Sequence, residues 1–244
     1  MYTAVKWAIS LILAITLLMY LAIMAIYYYG LRGLPDGTPP SKIFYSDGYR
    51  HAQWVAIGEA GETQMEPVSP VGMVIEGVKY LNSKPEPNKR HKLPPGLRLA
   101  MQNARVMLMQ QDRTGETNLY RQLKGLSTTL WVTNHWTANE ALSNYLSRSY
   151  FGHGRYGVES AAKEYFNKDY AQLDVYEIAL LMALQKSSSF YDPWCHEGRA
   201  VAQVNHVVKL LSANWPEKYA KLAKLKILPA SLVARGKEYC GGAR

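Results

Sequence analysis

The two cysteines and six histidines of this 244-residue chain are its natural candidates for metal or redox chemistry, and their spacing does not form a zinc site. The histidines are scattered, without the short separations that a tetrahedral Cys/His site uses, so no structural metal is expected. Cys195 and Cys240 could pair in an oxidising compartment or stand as two free thiols, and spacing alone leaves both open. Charge is the stronger signal. Lys and Arg number 28 against 19 Asp and Glu, a formal net charge of +9. A basic surface suits phosphates, and on a chain tethered to a bilayer it suits anionic lipids or pyrophosphates. The charge is dispersed and no aromatic-basic recognition motif is present, so nucleic acid is not an expected partner. Among the carboxylates, Glu59 and Glu62 read first as ordinary exposed residues, as most acidic side chains are.

These groups must be carried by elements the rest of the chain can build. From Trp7 to Tyr29 there is no charged residue. A helix of that length rises roughly 34 Å at about 1.5 Å per residue, enough to cross a hydrocarbon core of about 30 Å. A cleaved secretory signal has a shorter apolar core and a small-residue cleavage site. Here Tyr27, Tyr28 and Tyr29 occupy that place and suit an interfacial aromatic belt. The expected order is a short tail over 1–6 and an uncleaved transmembrane anchor over 7–29. Lys6 with the terminal amine and Arg32 nearly balance the positive-inside signal, while the short tail and long downstream segment favour export of the domain. The remainder is long enough for one domain with a real core, expected over 46–244.

Two breaks organise that remainder. Leu34 to Pro40 is rich in Pro and Gly and reads as part of a linker over 30–45. Residues 82–96 are polar, proline-rich and basic, and a mobile loop is expected there. Its Lys89, Arg90 and Lys92 could touch lipid headgroups or simply be solvated. Elsewhere the apolar spacing is helical. Helices are predicted over Leu97–Gln111, Leu119–Trp131, Glu159–Phe166, Asp174–Leu184, Ala200–Leu211 and Lys218–Ile227. Thr137 with Glu140 forms a capping box for a further helix through Leu146. The Asp174–Leu184 stretch is apolar nearly all round and should be central. Few stretches alternate with period two, so the fold class is mainly α.

One stretch reads Tyr145-Leu146-Ser147-Arg148-Ser149-Tyr150-Phe151-Gly152, then Gly154, Tyr156-Gly157, Ala161-Ala162, Tyr165-Phe166 and Lys168. Leu173, Glu177, Ala179-Leu180-Leu181 and Tyr191-Asp192-Pro193 continue it. On these residues the chain, from Arg121 to about Pro193, resembles glycosyltransferase family 51, the peptidoglycan glycosyltransferases that polymerise lipid II. So many matches in order are far more specific than a short motif. The resemblance implies a lysozyme-like helical domain at the outer face of a bacterial inner membrane, single-pass, with the soluble domain in the periplasm. In 244 residues no transpeptidase partner domain is expected beside it.

The family reaction transfers a growing glycan chain onto the 4-hydroxyl of lipid II and displaces a lipid pyrophosphate. A positioned carboxylate must take the hydroxyl proton, and cations or a metal must neutralise the leaving pyrophosphate. The family's base lies in a Glu-Asp-x-x-Phe-x-x-His-x-Gly motif. Setting Val68-Ser69-Pro70 on the segment after it places Gly58 on the Glu, Glu59 on the Asp, Glu62 on the Phe, Met65 on the His and Pro67 on the Gly. A slip of one residue makes Glu59 the catalytic candidate. The donor grip, Gly-Gly-Ser-Thr-Ile-Thr-Gln-Gln, has its echo in Pro95-Gly96-Leu97-Arg98-Leu99-Ala100-Met101-Gln102. Gly96 and Gln102 match, and the hydroxyls are replaced. Arg-Lys-x-x-Glu becomes Arg121-Gln122-Leu123-Lys124-Gly125, without the carboxylate. The family's next Lys falls on Ala138 and its Asn on Ser147.

Losing a single positioned acid or base costs about two to four orders of magnitude in rate. Losses in four motifs imply a pseudo-enzyme that binds lipid II, lipid pyrophosphate or other cell-envelope proteins as an assembly component. Its expected substrate-binding residues are Arg98, Gln102, Arg105, Arg121, Lys124 and Arg148, although such cations are also commonly solvated or structurally paired. No cofactor is expected, and a divalent cation only if activity is retained. The alternative is an active, diverged glycan polymerase with Glu59 as base and Glu62 or Glu116 as a second carboxylate. A lysozyme-like hydrolase would need two carboxylates across a cleft, and no such pair stands out.

Overall fold

The apolar run at the N-terminus forms the longest element, as its composition demands. The structure, a computed structural model, describes residues 2–32, 34, 43–82, 93–109, 111, 114–235 and 239–240. Among these the helices are α1 (Tyr2–Leu31), α2 (Asp47–Ala56), α3 (Pro70–Asn82), α4 (Leu97–Met109), α5 (Asn118–His135), α6 (Ala138–Arg148), α7 (Val158–Phe166), α8 (Val175–Lys186), α9 (Glu197–Asn214) and α10 (Pro216–Tyr219), with a 3-10 turn at Tyr170–Gln172. No strand occurs among the described residues; Tyr150 and Tyr156 form an isolated antiparallel bridge. The fold is mainly helical, as expected.

The chain divides into two compact units, Met1–Thr38 with Met65–His135, and Pro39–Gln64 with Trp136–Arg244. A single domain over 46–244 does not describe this division: α3, α4 and α5 belong with α1, whereas α2 packs with α6, α8 and α9.

In the first unit, Val5–Leu31 of α1 is long and apolar enough to cross a membrane, and the window that qualifies it is not buried at all. At about 1.5 Å per residue it spans roughly 40 Å. The C-terminal end of α1 leans on α5, where Gly30 makes the approach possible. A Cβ there would stand 2.8 Å from the Leu123 carbonyl oxygen and 2.8 Å from Ser127 Cβ. Tyr29 meets Tyr120 edge to face at 5.3 Å. Val68, Leu97 and Leu130 make a small buried cluster, with Tyr27, Met73 and Leu93 packed around it. The linker over 35–42 and the basic stretch 83–92, with Lys89, Arg90 and Lys92, lie outside the described residues.

The second unit is organised by α8, whose residues from Glu177 to Leu184 are all buried. Asp174 accepts from the backbone N–H groups of Tyr176 and Glu177, and Glu177 returns the bond to the Asp174 N–H, a capping box that starts this central helix. Thr137 and Glu140 form the expected capping box on α6. The helix predicted over Lys218–Ile227 is not formed. The helix there covers only Pro216–Tyr219, and farther along the Asn205 side chain takes both backbone groups of Leu225, accepting from its N–H at 2.8 Å and donating to its carbonyl at 2.9 Å. Side-chain bonds of that kind offer the backbone an alternative to helix.

Candidate functional site

In the first unit, α4 and α5 pack against each other and leave a cavity of about 580 Å³ along their sides. Helical spacing decides which residues reach it. Leu97, Met101, Ala104 and Leu108 recur at intervals of three and four along α4 and line the cavity, with Arg105 beside them. From α5 come Arg121, Lys124 and Gly125. The structure thus brings Arg105, Arg121 and Lys124 together around one cavity. Arg98 and Gln102 lie on α4 outside its lining. The Oε1 of Gln102 is nonetheless buried without a hydrogen-bond partner among the described residues.

The three cations differ in state. Arg105 and Arg121 are exposed, and Arg121 donates to the Asn118 side-chain oxygen. Lys124 is buried, and its Nζ donates to Glu116 Oε1 at 2.8 Å with side-chain exposures of 7% and 16%. Its ammonium also lies 5.9 Å from the centre of the Tyr120 ring. Sequence reasoning marked both residues and missed that they pair, because a separation of eight residues across a turn carries no helical signal. Gly125 adds open room, for a Cβ there would meet nothing within 4 Å. Glu116 is the cavity's only carboxylate among the described residues and is already neutralised, so this donor set does not fit a divalent cation. Among the described residues no group of three His, Cys, Asp or Glu could hold a metal ion.

Glu59 and Arg148 belong to the second unit. Glu59 follows α2, where its N–H donates to the Trp54 carbonyl at 3.1 Å. It is half-buried with its Oε1 out of contact with water, whereas Glu62 is exposed. Arg148 is half-buried in the last turn of α6.

The Tyr150–Gly157 stretch that carries the sequence likeness performs structural work in the second unit. Phe151 is fully buried, and its carbonyl accepts from the Tyr165 hydroxyl at 2.8 Å. Gly152 has φ of +94°, and a Cβ there would press within 2.9 Å of both Ser188 Cβ and the Tyr165 hydroxyl. Gly157 is held as closely, 2.7 Å from the Ser147 carbonyl oxygen by the same measure. His153 pairs with Asp192 at 2.7 Å. Arg155 and Arg235 both pair with Glu164, and Lys168 pairs at 2.5 Å with Glu177, which is sealed from solvent. Burial pushes the Glu164 and Glu177 carboxyls up, but hydrogen bonds outweigh it and hold both below their ordinary value. Those bonds come from Tyr239 and Arg155 to Glu164, and from Lys168, Ser231 and the Asp174 backbone to Glu177. Cys195 and Cys240 form a disulfide with Cα atoms 5.4 Å apart, which decides the question their spacing left open.

Comparison with known proteins agrees with this architecture. The family model described as Transglycosylase matches residues 96–212. Penicillin-binding protein 1A of Mycolicibacterium smegmatis is 38% identical over 101 residues, covering 41% of this chain and 13% of that protein. Penicillin-binding protein 1A of Aquifex aeolicus is 33% identical over 127 residues, covering 51% of this chain and 17% of the other. Penicillin-binding protein 2D of Bacillus subtilis is 30% identical over 113 residues, or 46% and 16% of the two chains. The chain therefore spans less than a fifth of the length of these curated relatives.

Proposed function

This chain carries a transglycosylase domain of glycosyltransferase family 51, and from that premise we propose that it binds a lipid pyrophosphate, with lipid II as the natural candidate, without polymerising it. The observation that carries the reading is the state of the charges around the α4–α5 cavity. Arg105 and Arg121 stand exposed at its edge, where cations can take a phosphate. The family's Arg-Lys-x-x-Glu carboxylate falls on Gly125, and Glu116 is closed on Lys124. Such a site offers phosphate recognition and no free base. The retained motif residues of the second unit support a kept shape: Phe151, Gly152, Gly157, Lys168 and Glu177 are engaged in packing, turns and buried pairing. In this reading the protein is anchored by α1 in a bacterial inner membrane, with the helices that follow α1 in the periplasm, and serves cell-envelope partners as an assembly component.

One observation favours the active alternative. Glu59 is shielded at Oε1, and a general base benefits from such shielding when it is within reach of the hydroxyl it deprotonates.

The test is lipid II polymerisation by the detergent-solubilised full-length protein, with a lipid II binding titration on the same sample. Binding without glycan product is the expected result. Processive product that Glu59→Gln abolishes, with folding unchanged, would establish the polymerase instead. Absence of both product and binding would leave the protein surface, and its protein partners, as the functional element.

A further inference from the structure

We propose that the groove between α9 and the segment over 220–225 docks an extended acidic segment of a partner protein, whose apolar side chains lie on the groove floor and whose carboxylates meet Lys209 and Lys224. This rests on the reading of the protein as an assembly component and gives the chemistry of its partner. It stands on the second unit alone and needs nothing of the lipid-pyrophosphate site.

The groove is preformed. It encloses about 770 Å³, and the wall facing α9 is fixed at three places. The Ser212 hydroxyl donates to the Tyr219 carbonyl at 2.8 Å, and the Tyr176 hydroxyl donates to the Ala223 carbonyl at 2.8 Å. Asn205 holds both backbone groups of Leu225. A surface fixed before its partner arrives loses little freedom on binding. The floor is apolar, with Val208 buried and Val201, Leu222 and Leu225 half-buried beside it. Asn205 and Ser212, the uncharged polar residues of the lining, are engaged in holding the wall. A hydroxyl-rich ligand laid on this floor would leave its groups unpaired, and hydrocarbon side chains would not.

The rim has the opposite character. His206, Lys209 and Lys224 line the groove and are exposed. His206 and Lys209 are three residues apart on α9 and share a face, while Lys224 stands on the other wall. From Gly198 to Lys226 the cations are Arg199, Lys209, Lys218, Lys221, Lys224 and Lys226, against the single carboxylate of Glu217. Lys218 is held by Asp47 at 2.9 Å, whereas Lys209 and Lys224 form no ion pair among the described residues. Cations on both walls match carboxylates spaced along a chain, which a peptide supplies and a single lipid head does not. A flat bilayer surface would leave the concave floor uncovered.

Length fits the same occupant. The α9 side of the groove runs from Gly198 to Ser212, roughly 21 Å at about 1.5 Å per residue. An extended peptide rises about 3.3 Å per residue, so about six of its residues lie along the groove. Alternate side chains of such a peptide point to opposite faces, which separates an apolar row for the floor from an acidic row for the rim. Gly198 leaves one end open, since a Cβ there would meet nothing within 4 Å.

The experiment titrates the full chain in phosphatidylcholine nanodiscs with the labelled peptide Glu-Leu-Glu-Leu-Glu-Leu, with empty discs as the blank. Salt is held at about 0.15 M, where charges more than about 8 Å apart are largely screened. Replacing every Glu by Gln, or every Leu by Ser, should weaken the peptide by about tenfold or more. Lys209→Glu and Lys224→Glu should each weaken it by about fivefold, the most that an exposed ion pair contributes. Lys163→Glu, an exposed charge on α7 outside the groove, should leave it unchanged. Ala202→Trp, at an exposed α9 position of the lining, should block the groove, and thermal unfolding checks that each variant folds. Equal weakening by all three lysine reversals, or binding unmoved in folded Ala202→Trp, would reduce the contact to diffuse charge and overturn the groove. Phosphatidylglycerol vesicles that displace the peptide, and that the same two lysine variants bind less well, would make a membrane surface the occupant and overturn the protein partner. No binding of the Glu-Leu peptide would overturn the inference outright. Lipid II titrated in parallel keeps the two sites apart: failure of lipid II to bind would remove the lipid-pyrophosphate reading and leave the groove standing.

Discussion

Lys124 donates to Glu116 across 2.8 Å beneath the apolar lining of the α4–α5 cavity, and neither side chain is more than 16% exposed. The pair converts two charges into a neutral floor. It engages the one carboxylate that lines the cavity among the described residues.

The two partners should respond unequally to single and double substitution. Lys124→Met leaves Glu116 unpaired in a nearly closed environment and should cost about 3 kcal/mol. The double variant Lys124→Met with Glu116→Leu should recover most of that loss, since a buried pair replaced by apolar groups is often neutral. Chemical denaturation of the four proteins completes the cycle. Equal losses in the single and double variants would show that the pair is solvated.

Acid should destabilise the second unit through Glu164 and Glu177. Both carboxyls sit below their ordinary value of 4.5 in the fold, so their contribution is fully present above that pH. It is lost as pH falls through the lower folded values, because the unfolded chain then binds more protons. Urea midpoints measured from neutral pH to well below 4.5 should fall, and Glu177→Gln should flatten the decline. A midpoint constant across that window would contradict the assigned pairing.

Two glycines make opposite predictions. Gly30→Ala forces a Cβ to 2.8 Å from the Leu123 carbonyl oxygen and should loosen α1 from α5, lowering the unfolding temperature. Gly125→Ala enters open space within α5 and should stabilise by about 0.5–1 kcal/mol through helix propensity alone. Thermal scans of both variants in one detergent decide the sign.

The disulfide should matter for the C-terminal segment. Cys195 and Cys240 are 45 residues apart, and a loop of that size corresponds to about 4 kcal/mol of unfolded-chain entropy. Around the bridge, Tyr239 donates to Glu164 at 2.8 Å, and Trp194 Nε1 donates to the Val233 carbonyl at 2.8 Å. Cys240→Ser, or a thiol reductant on the wild type, should lower stability and expose the segment after Leu232 to protease. Identical cleavage with and without reductant would show that the local hydrogen bonds suffice.

Much of the helical plan is legible in the sequence because it is local. The apolar run of α1, the three-and-four spacing of α4, and the capping box led by Thr137 each involve residues within a turn or two of one another. The Lys218–Ile227 stretch shows where that reasoning stops. Its lysines repeat with helical spacing, yet α10 stops at Tyr219 and Asn205, from another element, holds the Leu225 backbone outside any helix.

The candidate site divides along the same line. The order of motif residues from Tyr145 to Pro193 carries the likeness to the family, and the replacement of the donor grip's Ser and Gln by Leu97 and Met101, and of the next motif's Glu by Gly125, is visible in the chain itself. Which cations share a cavity, that Glu116 closes on Lys124, and that Cys195 finds Cys240 are decided by tertiary packing. Helical period and caps are set by neighbours along the chain, and so the sequence alone determines them. Ion pairs, disulfides and cavity walls depend on how close distant segments come, and only the packed structure sets those distances.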